Sequence, residues 1–232
     1  LLSATASESD ADTTDIRVRR SRFKFSGHAY DPRFLYMLEF EFDGGRIFST
    51  YVQYAHSPGL NFRIGQYRVA FNSEGATSNS TLQFVDRSLA HVFFGIRNER
   101  EPGFGLLGKT FNNRLEYSAG VYTGDGLGQR NDNADVRLAA RVLYNLMGQH
   151  GKKYGDYNIS QTPQLALGLG GMRNNTVDGK TFSGTADLSL KYLGVGAQAS
   201  YFFQNSDVGA TDFDSDHGIT AILGYMVSPK VE

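Results

Sequence analysis

The chain has 232 residues, with 23 Lys and Arg against 24 Asp and Glu and a formal charge of -1. That balance supplies no bulk attraction to nucleic acid and argues against a nucleic-acid module. The lack of cysteine removes disulfide frameworks, thiolate metal sites and thiol catalysis, while 27 Gly, 13 Tyr and 17 Phe beside no Trp and 5 Pro describe a β-rich protein.

Along the chain, Leu1 to Asp10 carry no basic run and only two leading leucines, so no secretion signal is expected there. No window approaches the ~18 to 20 apolar residues of a spanning helix. Two-residue periodicity is the recurring signal. Phe34, Tyr36, Leu38, Phe40 and Phe42 alternate with Glu39, Glu41 and Asp43. Ala186, Leu188, Leu190 and Tyr192 likewise alternate with Thr185, Asp187, Ser189 and Lys191. Strands are predicted near 17–28, 33–43, 46–55, 60–71, 103–111, 114–123, 135–145, 164–172, 182–193, 195–204 and 217–227.

Most of these runs are about ten residues long, the ~9 to 11 that a tilted membrane-spanning strand needs rather than the ~5 to 6 of a globular one. Their wet faces carry small and charged residues, and their apolar faces often end in Tyr or Phe, as at Tyr144, Tyr192, Tyr201 and Tyr225. The predicted class is therefore all-β, a transmembrane antiparallel barrel occupying residues 1–232 as one domain. Tight connections at 31–32, 44–45, 112–113 and 193–194 are expected on one side. Longer ones at 124–134, 146–163, 173–181 and 205–216 are expected on the other. Single-chain barrels close with an even strand count, so eleven predicted strands point to a barrel only partly represented in this chain.

Motif spellings that suggest enzymes do not fit this frame. Gly103 to Thr110 matches the phosphate-binding loop G-x-x-x-x-G-K-[ST], yet that chemistry needs a following helix. Here Asn112-Asn113 and another alternating run follow, so a glycine-rich strand is expected. Asp212, Asp214 and Asp216 begin like a calcium loop, but Leu223 stands where the bidentate Glu belongs, leaving a solvated acidic loop. The five histidines lack metal-ligand spacing and no nucleophile motif occurs. No catalytic residue, metal or cofactor is expected.

Two charged features bear on transport. Arg17, Arg19, Arg20, Arg22 and Lys24 form a basic run, and the next strand sets Glu39, Glu41 and Asp43 on its own wet face. Antiparallel pairing would oppose these charges across the wall. The stretch 72–102 is the longest connection and too apolar in its middle for a disordered tail. It is the candidate constriction loop, and folded inward it would present Arg87, Arg97 and Arg100 to a passing anion.

Several segments, in order, resemble the phosphate-selective porins O and P of Gram-negative outer membranes. They are Ile16 to Phe23 with Phe25 to Tyr30, Phe62 to Tyr67 with Ala70-Phe71, Phe84 to Leu89, Tyr117 to Gly124, and the closing Gly224-Tyr225 with Pro229 to Glu232. The resemblance implies a barrel of about 16 strands, often a homotrimer, in contact with outer-membrane lipid and lipopolysaccharide and passing small anions or solutes. It carries over Arg19 and Arg20 as the paired arginines and Ser78 as the loop serine. The two lysine positions of the family's constriction stretch hold Gly75 and Asn79. The expected function is thus a passive porin with modest anion preference, with Arg19, Arg20, Arg22, Lys24, Ser78, Arg87, Arg97 and Arg100 lining the pore. The alternatives are a non-conducting barrel acting as a sleeve in an envelope complex and a soluble β-sandwich binding module.

Overall fold

A computed structural model describes residues 2–5, 15–18, 21–96, 99–131, 133–151, 153–176, 179–207 and 214–228. A small sheet pairs β1 (Leu2–Thr5) with β2 (Asp15–Val18). The main sheet has eleven antiparallel strands, each hydrogen-bonded to its neighbours in chain order. They are β3 (Arg22–Ala29), β4 (Asp31–Glu41), β5 (Arg46–Ser57), β6 (Leu60–Arg68), β7 (Arg100–Thr110) and β8 (Leu115–Tyr122). There follow β9 (Arg137–Met147), β10 (Gln164–Thr176), β11 (Gly179–Tyr192), β12 (Val195–Asp207) and β13 (Asp214–Tyr225). Among the described residues the helices are short: α1 (Ser73–Ala76), α2 (Leu89–Phe94) and one 3-10 turn (Asn79–Thr81).

The polarity of the sheet is the reverse of a soluble one. In β11, Ser183, Thr185, Asp187, Ser189 and Lys191 are buried, while Leu188 between them is 48% exposed. Register carries this across the sheet. Leu188 lies opposite Leu167 and Ala199, and Leu169, Ile219 and Leu223 share that outward face. A water-soluble sandwich buries its apolar face, so a face of exposed leucines over a buried polar one requires lipid outside. The soluble binding-module alternative fails on this point. Aromatic residues mark both rims. Tyr144, Tyr192 and Tyr225 with the paired Phe34 and Tyr54 stand at one end, and Phe23, Phe40 and the Phe182–Phe203 pair at the other. These are interfacial girdles.

The strand forecast needs three adjustments. The run expected at 17–28 is divided, because β2 pairs with β1 whereas β3 pairs with β4. The strand expected to reach residue 71 ends at Arg68, and Val69 and Phe71 turn inward to nearly complete burial. The long loop expected at 173–181 is a hairpin instead. Asn174, Asn175 and Thr176 pair with Thr181, Lys180 and Gly179 and lengthen β10 and β11 with polar residues that give no apolar signal. Gly103 to Thr110 lies wholly within β7 and is followed by a turn and β8, which leaves no helix terminus for a phosphate. Of the acidic stretch expected as a loop at 212–216, residues 212 and 213 lie outside the described residues, while Asp214 to Asp216 open β13 and pair with Ser206 to Gln204 of β12.

The expected sorting of short and long connections between the two ends also fails in part. Because chain neighbours are antiparallel, successive connections alternate between ends. The tight 42–45 turn therefore shares an end with the long 69–99 and 123–136 segments. The long 148–163 segment shares the other end with the tight 111–114 and 193–194 turns.

The polarity argument has a direct test. Leu188→Arg should cost about 2–4 kcal/mol in urea unfolding from phospholipid. Ser189→Ala, one residue along but on the buried face, should cost a small fraction of that.

Candidate functional site: the inward face and its two loops

The 69–99 segment packs on the inward face of the sheet. Its local folding is written in capping residues. Asn72 accepts from the Gly75 amide at 2.8 Å to start α1, and Ser88 accepts from the His91 amide at 3.1 Å to start α2. Glu74 accepts from the Ser88 hydroxyl at 2.7 Å, which ties the two helices together. Burial holds the Glu74 carboxyl above its ordinary range. The loop reaches the wall through Phe94, stacked on Phe202 at 5.6 Å, and through the Phe71 carbonyl, which accepts from Arg141 at 3.1 Å. Gly170 makes that approach possible, since a Cβ there would collide with the Phe71 carbonyl. Ser73 completes the seat with contacts to Asp187 at 3.4 Å and to Gln198.

A second segment, 148–163, folds inward from the opposite end. Asp156, almost fully buried, accepts from the Ser160 hydroxyl and amide at 2.6 and 2.8 Å and from the Gly194 amide at 2.9 Å. Burial alone would raise the Asp156 carboxyl, but these hydrogen bonds outweigh it and hold the group below its usual value. Lys191 donates to the His150 carbonyl at 2.6 Å. Tyr154 lies over Gly196, where a Cβ would meet its carbonyl at 2.7 Å, and its hydroxyl stands 3.4 Å from Ser73. Loops from the two ends thus meet inside the sheet.

The opposed charges of β3 and β4 are register partners: Arg22 faces Glu41 and Lys24 faces Glu39. They belong to a larger network in which five arginines meet three carboxylates among the described residues. Arg22 and Arg46 share Glu41 at 2.9 and 2.6 Å. Arg100 reaches Glu39 at 3.5 Å and Glu99 at 3.8 Å, Arg68 reaches Glu99 at 3.5 Å, and Arg87 pairs with Glu99 closely. The Phe48 ring is held between the guanidinium groups of Arg22 and Arg100, each 3.7 Å from its centre.

The structure places the expected site residues as follows. Arg19, Arg20 and Arg97 lie outside the described residues. Arg22, Arg87 and Arg100 come together in the network above. Arg87 is a strut inside its own loop, donating to the Glu74 carbonyl at 2.6 Å, the Asn79 side chain at 2.6 Å and the Thr77 carbonyl at 3.1 Å. Lys24 is exposed on β3. Ser78 is exposed, with its hydroxyl 3.1 Å from that of Ser80.

Other residues gather where the sequence reading did not look. A cavity of about 420 Å³ lies between the two loops and the wall. Arg63, Arg68, Lys109, Arg141 and Lys153 line it against one carboxylate, Glu116. Lys109 pairs with Glu116 at 3.0 Å and Arg141 with Asp187. Arg63 sits over the rings of Tyr51 and Tyr67 at 4.3 and 5.2 Å and donates to the neutral Gln53. Their strand parity was legible, as Arg141 on a wet face shows. Their meeting required register across four strands, β6 to β9, and the infolding of the loop that carries Lys153.

A sheet that is apolar outside, polar inside and entered by its own loops defines a transmembrane β-barrel of the porin kind. The family described as phosphate-selective porin O and P matches residues 4–201, and the chain belongs to it. No curated protein matches the chain. The family is one of channels, not of enzymes.

The loop histidines set a pH dependence. Burial, with Arg87 and Arg68 nearby, lowers His91 to about 3, and burial with Lys191 nearby lowers His150 to about 4. Below the ordinary value of 6.5 the unfolded chain takes up protons that the folded one refuses, so stability falls as pH drops toward those values. Urea midpoints in phospholipid should decline between about pH 7 and about pH 4. The decline should shrink in His91→Gln and His150→Gln, most in the double variant.

Proposed function

We propose that this porin is a passive diffusion channel of the bacterial outer membrane for small hydrophilic solutes, with a modest preference for anions. The observation that carries the reading is the cavity's lining of five cations against one carboxylate. The 69–99 segment, within the span 72–102 expected from sequence, acts as the constriction. Arg87 keeps its shape rather than facing the solute. Selectivity then rests on the wall cations, above all Arg63, because Arg87 and Arg100 are held in the network around Glu99 and Glu39 and are not among the residues that line the cavity.

A cation fixed beside a narrow aqueous path raises the local anion concentration, and this effect weakens as salt screens it. The absence of lysine at Gly75 and Asn79 supports a broad anion pore over tight phosphate capture. Family membership supports assembly as a homotrimer, with the outward leucine belt against lipid and the outer rim against lipopolysaccharide. A second reading, a sleeve that does not conduct, draws support from the meeting of the two loops at Tyr154 and Ser73.

Planar-bilayer recording separates these readings. The channel should conduct, and its reversal potential in a KCl gradient should indicate chloride preference. That preference should fade as screening shortens from ~8 Å at physiological salt to ~3 Å at 1 M. Arg63→Gln should lower the chloride-to-potassium permeability ratio by about twofold or more. Arg87→Ala should act differently, raising conductance and current noise by loosening the loop. Absence of conductance would select the sleeve, and cation selectivity would refute the charge assignment.

A further inference from the structure

The cavity described above is a chamber with a floor and a lid. The 69–99 loop closes one side with Ala70, Ser73 and Ala76, and the 148–163 loop closes another with Lys153 and Tyr154. Its volume of about 420 Å³ falls within the ~300–1,000 Å³ range of small-molecule sites. Its cations are not equivalent. Lys109 and Arg141 have carboxylate partners, whereas the described contacts of Arg63 are a neutral amide and two tyrosine rings, and Lys153 stands 5.2 Å from the Tyr157 ring. Arg63 and Lys153 therefore keep charge for a ligand.

The wall beside them is unlike the inward face of β11. Where β11 offers Ser183, Thr185, Asp187, Ser189 and Lys191, the chamber offers Leu107, Leu143, Tyr67 and Tyr122. Strand register confirms that the leucines belong inside. Leu107 faces Asn61 and Ser118, and Leu143 faces Glu116 and Gly168. A hydrated inorganic ion gains nothing from apolar wall, but a ligand with a hydrocarbon body gains by leaving water there. Taking the channel reading as its basis, we propose that the chamber binds organic carboxylates, with the head group on Arg63 and Lys153 and the apolar body against Leu107, Leu143 and Tyr122.

Benzoate and acetate are the probes, since they share a head group and differ in body. In the reconstituted channel, benzoate should reduce the KCl current at concentrations about tenfold below those of acetate, a difference of about 1.4 kcal/mol. Leu143→Asn should erase the difference between the two, with Leu107→Asn as the second variant if the first does not assemble. Arg63→Gln should weaken both. Equal block by benzoate and acetate, or a preference that survives both leucine substitutions, would overturn the proposal. Equilibrium dialysis of labelled benzoate against detergent-solubilised protein reads the chamber without conduction. Saturable binding lost in Leu143→Asn but without conductance would uphold the chamber and overturn the channel reading. Conductance without benzoate preference would overturn the chamber alone.

Discussion

The backbone hydrogen bond is the constraint from which the rest of this protein follows. In a bilayer no water can satisfy an exposed amide or carbonyl, so a spanning sheet must pair its strands continuously. Eleven strands joined in simple chain order meet that demand at every strand boundary between β3 and β13 without a crossover. Once the backbone is paired, the two faces are free to answer to different solvents, and Leu188 beside Asp187 is the result at the scale of one peptide.

Turning the polar face inward creates a second problem, since an enclosed charge needs a partner. The interior meets it with arginines that share carboxylates. Glu99 serves Arg68, Arg87 and Arg100, and Glu41 serves Arg22 and Arg46. Removing one carboxylate from such a network leaves several buried cations uncompensated, which is why charged groups of this kind are costly to break. The same network anchors the root of the 69–99 loop, because Glu99 ends that loop and Arg100 begins β7. Charge pairing and loop placement are thus one device.

That economy decides where function can reside. Arg22, Arg46, Arg87 and Arg100 are held by carboxylates and are not among the residues that line the cavity, whereas Arg63, beside a neutral amide and two rings, lines it. Bringing Lys153 in from the opposite end places a second cation on the same space. On the proposed channel reading, transport properties belong to the wall and the second loop as much as to the 69–99 loop.

By itself the sequence determined the class of fold, because spanning-length alternation is a local property that each strand shows without its neighbours. It also indicated that the basic run and the acidic residues of the next strand share the wet side, but the pairing of Arg22 with Glu41 and of Lys24 with Glu39 depends on the register shift between His28 and Ala29 that only the structure shows. The extension of β10 through Asn174 to Thr176 and of β11 through Gly179 to Thr181 was illegible because these residues carry no apolar side chain on either face, and such strands give no periodic signal. Only the tertiary structure decided which cations are spent and which are available. Arg87 and Arg63 look alike along the chain, but one is folded onto Glu99 and the other faces the chamber. Long-range register and the infolding of two loops from opposite ends set that difference, and both depend on contacts between residues far apart in sequence.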